Sequence, residues 1–148
     1  MKLTPHDEGT IWLVAMGLIL VILMMYAVCG CAIAGAQPLS HAEIYQALIE
    51  NYRHMNDGYF DGDLPADVQI EYATDRNRPI GQTTYATPMS IFVNSYYDRS
   101  ERESLLTEDH EMCHVWVYET GGEAVDHGPR WVGCMHRLAD EGAFDQLW

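Results

Sequence analysis

Basic charge is what this 148-residue chain has least of. Its single lysine is Lys2, and against 8 Lys and Arg stand 22 Asp and Glu, a formal net charge of −14. Binding to a nucleic-acid backbone requires a basic surface, so no direct nucleic-acid partner is expected. There is no internal repeat, no low-complexity tract and no CxxC pair. With 48% apolar and 20% charged residues the composition is not that of a disordered chain, and the length suits one domain with its own core.

Charge of either sign is absent from Gly9 to Ala42. Inside that stretch Ile11 to Val28 (IWLVAMGLILVILMMYAV) is continuously apolar and lacks the polar stripe of a soluble core helix. As a helix it would be roughly 27 Å long, close to the thickness of a bilayer core. Three membrane-related readings fit it. A single-pass anchor is favoured, making the protein membrane-associated. A lipoprotein signal ending at Cys31 comes second, and a secretory signal cleaved after Ala34-Gly35-Ala36 third. Lys2 and the α-amine lean weakly towards an internal N-terminus and an exported domain. The expected division is residues 1–36 as anchor or signal and 37–148 as the folded domain. That domain carries 7 Arg against 20 Asp and Glu, a net −13, so the acidity belongs to it. Cys113 and Cys134 would pair in an exported domain and stay reduced in an internal one.

After Pro38, Ser40 and Glu43 form a capping box, and Ile44, Leu48, Tyr52 and Met55 keep helical spacing to about Asn56. The turn-rich DGYFDGDLP follows. VQIEYA (68–73), IGQTTYAT (80–87) and SIFVNS (90–95) read as three strands, expected to form a small antiparallel sheet because their links are short. A second capping box, Ser100 with Glu103, opens a helix over about 101–119 that Gly121-Gly122 ends. A closing helix spans about 129–140. The fold class is α+β, preceded by one hydrophobic N-terminal helix.

TEDHEMCHVW, residues 107–116, contains HExxH. Four residues apart on a helix, His110 and His114 share a face and can direct two imidazoles at one metal ion. In such a pattern Glu111 does not bind the metal but takes a proton from water, as general base. Zn2+ is the expected cofactor from the ligand type, although manganese or cobalt could substitute in vitro. A catalytic zinc keeps three protein ligands and one open position. Val117 and Thr120 occupy the places where a metzincin would need Gly and His. Glu123 or Glu141 could be proposed as a third ligand. His127 in DHGPRW is preferred, because it precedes a Gly-Pro helix start and follows a glycine-rich loop that lets it swing back. Asp126 could orient that imidazole. His136 reads as surface, His41 and His54 as solvated helix residues, and Cys113 as a core residue.

HEMCH, then HGPRW and VGCMHRL, with NDGYFDGDLP, GQTTY and SIFVNS upstream, resembles the SprT-like (Spartan-type) zinc metalloprotease family over about residues 41–139. The resemblance implies a minimal zincin-like domain with His110, His114 and His127 as zinc ligands, Glu111 as catalytic base and a polypeptide substrate. It also implies that Tyr85 lies near the cleft and that Trp131 and Leu138 pack the closing helix on the ligand helix. The family's DNA-repair members carry basic or zinc-ribbon elements that this chain lacks. The expected function is thus a membrane-tethered zinc peptidase. The alternatives are a non-catalytic zinc-stapled binding protein and a DNA–protein crosslink repair protease.

Overall fold

The computed structural model describes residues 38–97, 100–122 and 127–147, all within one compact unit, Pro38–Trp148. The expected N-terminal hydrophobic helix and anchor lie outside the described residues. Among the described residues no helix is long and apolar enough to cross a membrane.

Helix α1 (His41–Tyr59) begins on the expected capping box: Glu43 N donates to Ser40 Oγ at 3.3 Å, and Ser40 N donates to Glu43 Oε2 at 2.7 Å. Its buried stripe is Ile44, Leu48, Tyr52 and Met55, as the spacing predicts. The helix runs three residues past Asn56, whose buried amide explains the turn that follows. Asn56 Nδ2 donates to Leu64 O and Leu64 N donates to Asn56 Oδ1, both at 3.0 Å, folding the turn back through left-handed Asp61 and Gly62.

Strands β1 (Gln69–Ala73), β2 (Gly81–Thr84) and β3 (Ser90–Asn94) form one sheet in the order β1–β3–β2. The sheet is mixed, which corrects the antiparallel expectation: β2 is antiparallel to β3, but β1 is parallel to β3, with Gln69 opposite Ser90 and Ala73 opposite Asn94. The cause is the 74–80 link, which crosses to the far side of β3 instead of turning back beside β1. Asn94 holds that crossover. Its Nδ2 lies 2.6, 3.1 and 3.0 Å from the carbonyl oxygens of Asp75, Arg78 and Pro79, and its Oδ1 accepts from Asp75 N at 3.0 Å. The central strand, β3, is buried from Ile91 to Asn94, while the edge strands alternate.

Helix α2 (Glu101–Glu119) starts with Ser100 Oγ accepting from Glu103 N at 3.2 Å. It is buried on several sides, with Met112, Cys113, Val115 and Val117 in the core, because α1, the sheet and helix α3 (Pro129–Asp140) all pack on it. Pro129 opens α3, which buries Cys134 and Leu138. A disulfide joins Cys113 to Cys134 and ties α2 to α3. A short 3-10 turn, Asp145–Leu147, follows.

Candidate metal centre

Helical periodicity puts His110 and His114 on one face of α2, and the chain between α2 and α3 returns His127 to that face. His127 Nε2 lies 3.0 Å from His110 Nε2 and 3.2 Å from His114 Nε2. The three residues form a group able to hold a metal ion. Three nitrogens held tetrahedrally at 2.0–2.1 Å from one ion would stand roughly 3.3 Å apart, so the spacing fits a single cation. Burial, then the like charges of His114 and His127, push the His110 imidazole down to about 4. At neutral pH its ring is therefore uncharged, as a ligand must be.

Trp131, in the first turn of α3, packs on all three rings, at centroid distances of 4.5 Å to His110, 5.6 Å to His114 and 4.3 Å to His127. Its Nε1 donates to His110 O at 3.3 Å. Arg130 adds bonds to Thr120 O and Oγ1 at 2.9 and 2.7 Å, joining the start of α3 to the end of α2.

Glu111 is buried beside the cluster, its Oε1 3.9 Å from His110 Nε2. Thr83 on β2 donates to Glu111 Oε2 at 2.8 Å, with Glu111 O a second acceptor at 3.2 Å. Burial raises the Glu111 carboxyl above its ordinary value, and the Thr83 bonds oppose that rise. Such a close approach of strand to helix requires Gly81, where a Cβ would fall 2.5 Å from Glu111 Oε1 and 2.7 Å from Thr107 Cγ2. A cleft of about 290 Å³ opens over Glu111 and the three histidines, with Thr83 and Tyr85 in its wall. Tyr85 stacks on Tyr118 with centroids 4.7 Å apart, and burial, then the Glu111 charge, raise its hydroxyl to about 12.

Thr83 and Gly81 carry no recognisable signal beyond lying in GQTTY. Their function-like contacts depend on β2 being the edge strand nearest α2, which local sequence does not encode. The remaining candidates lie elsewhere. His136 is exposed on α3, and Glu141 pairs with Arg137 at 3.1 Å. His54 is exposed, while His41 is stacked on Tyr72 at 4.3 Å with Nε2 3.0 Å from Tyr72 O, more engaged than a solvated residue. Cys113 is in the disulfide and Leu138 is in the core. Glu123 and Asp126 fall outside the described residues.

Among the described residues, the fold and the histidine cluster thus define a small α+β domain with three α-helices, a three-stranded mixed sheet and a group that could hold a metal ion. Residues 48–145, well over half the chain, match the SprT-like family, and the chain belongs to it. Membership points to metallopeptidase-type chemistry. No curated protein matches the chain.

Proposed function

We propose that this protein is a zinc-dependent peptidase, with His110, His114 and His127 as metal ligands and Glu111 as general base. The observation that carries this reading is the convergence of three imidazole Nε2 atoms beside a buried carboxylate in an open cleft. Zinc held there would polarise a peptide carbonyl and acidify water. Glu111 takes the proton of the attacking water and returns it to the leaving amine. Thr83 fixes the carboxylate for both transfers, and its bond to Oε2 leaves Oε1 on the side of His110. Burial favours the protonated form of Glu111, which suits a group that must hold a proton between the two transfers.

The substrate is a polypeptide lying in the cleft. The domain is held at a membrane by the 11–28 apolar run, on the exported side. The Cys113–Cys134 bridge supports that side, since such bonds persist in oxidising compartments. Net charge argues against a DNA-dependent repair role.

Glu111→Gln tests the chemistry. The purified full chain should carry about one zinc before and after the substitution, while peptide hydrolysis falls by ~10²–10⁴-fold, the usual worth of a positioned base. A Glu111→Gln chain that cleaves as fast as its parent removes the proposed mechanism.

A further inference from the structure

A second cavity, of about 510 Å³, adjoins the metal cleft. The two share Gly81, His110 and Glu111. Beyond those shared residues the walls of the second cavity are Pro79, Ile80, Leu106 and the side chain of Thr107. Among the described residues, the titratable groups that line it are therefore those of the metal cleft itself. Leu106 is half-buried yet lies outside the core cluster, and Ile80 is exposed. Two partly exposed apolar side chains thus line the same cavity as the base, where burial against a ligand would be favourable.

The wall is preformed. Asn94 Nδ2 stands 3.0 Å from Pro79 O, and Asn94 N donates to Ile80 O at 2.8 Å, so the crossover that carries Pro79 and Ile80 is fastened to β3. Gly81, His110 and Glu111 line both cavities, so the two meet at the base.

Resting on the peptidase reading, we propose that this cavity is a specificity subsite. It receives a bulky apolar side chain (Leu, Ile, Met or Phe) from the substrate residue next to the scissile bond. The occupant follows from continuity. A peptide whose carbonyl lies over the histidines has its neighbouring side chain at the mouth of a pocket walled by Ile80, Leu106 and Pro79. Apolar pockets of this kind discriminate by about 10–200-fold between side chains of differing bulk.

The test is digestion of a proteome-derived peptide library by the metal-loaded full chain, with cut sites read by mass spectrometry. Leu, Ile, Met and Phe should be enriched at least about tenfold at one fixed position adjoining the cut. Ile80→Glu should replace that preference with Lys and Arg at the same position. Leu106→Trp, which fills the cavity, should shift it to Gly and Ala. Metal content checks that each variant is folded. Cleavage that depends on Glu111 but shows no enrichment at a fixed position overturns the subsite and leaves the peptidase reading standing. So does a preference that both folded variants retain. Absence of any cleavage by the metal-loaded parent overturns both.

Discussion

Gly81 shows how narrow the tolerances at the candidate site are. The strand passes so close to α2 that even a methyl group at 81 would meet the Glu111 carboxylate at 2.5 Å and Thr107 at 2.7 Å. Gly81→Ala should therefore displace Glu111 or push β2 outward, lowering hydrolysis by at least ~10²-fold, the scale on which a misplaced catalytic group acts. Metal content should change little, since the three atoms nearest a Cβ at residue 81 belong to Glu111 and Thr107 and not to a histidine. Full activity in Gly81→Ala would show that Glu111 has more freedom than the packing allows. The histidines were legible in the sequence because i, i+4 spacing on a helix fixes their relation, and because a Gly-Pro helix start placed His127 where it could return. Thr83 and Gly81 were not, since what they touch is decided by which strand lies nearest α2.

At the scale of the element, α2 buries more than ligands. Glu108 and Asp109 are both buried on its inner side, and Asn51 Nδ2 reaches them at 3.0 and 2.8 Å. Among the described residues, Glu108 Oε1 and Ser104 Oγ have no hydrogen-bond partner. Burial pushes Glu108 well above the carboxylate range and Asp109 up to about 7, with the Asn51 bonds opposing both. Folding thus raises both pKa values above those of the unfolded chain, near 4. Below about pH 4 both states hold these protons. As pH rises from there towards 7, the unfolded chain releases them first and the folded state loses stability. In the metal-free chain the melting temperature should fall over that window. Glu108→Gln, which keeps an acceptor for Asn51, should raise the melting temperature at pH 7.5 and flatten the profile. Thermal melts across pH check this, and a lower melting temperature for the variant at pH 7.5 would contradict it. The disulfide works in the opposite direction, closing a 21-residue separation between α2 and α3. By chain entropy such a bridge contributes about 3 kcal/mol. Helix limits were legible from Ser40, Glu43, Ser100 and Gly121, where capping is local chemistry. Strand order was not, because alternation in VQIEYA and GQTTY marks strands without naming their neighbours, and Asn94, which fixes the crossover, reads as any strand-end polar residue.

At the scale of the whole molecule, the folded part and the apolar run ask for different surroundings. With 7 Arg against 20 Asp and Glu in residues 37–148, the domain would be repelled by an anionic lipid surface. Under the proposed anchoring, attachment would come from the 11–28 run, whose length would suit a span. The full chain should stay with membranes through a 1 M salt wash, at which screening shortens to about 3 Å, and a chain lacking residues 1–36 should partition to the soluble fraction. Fractionation and immunoblotting decide it: release of the full chain by salt, or retention of the truncated one, would refute the anchor.

Trp131 gives the protein an optical gauge of its own. An indole whose ring centre lies within 5.6 Å of three imidazoles senses whatever changes their charge and motion. Titrating zinc into chelator-stripped protein should alter the tryptophan emission with a one-to-one endpoint, and Trp131→Phe should silence most of that response while the cation still binds. A signal that survives the substitution undiminished would assign it to another tryptophan. Occupancy could then be followed by emission alone, with no substrate in hand.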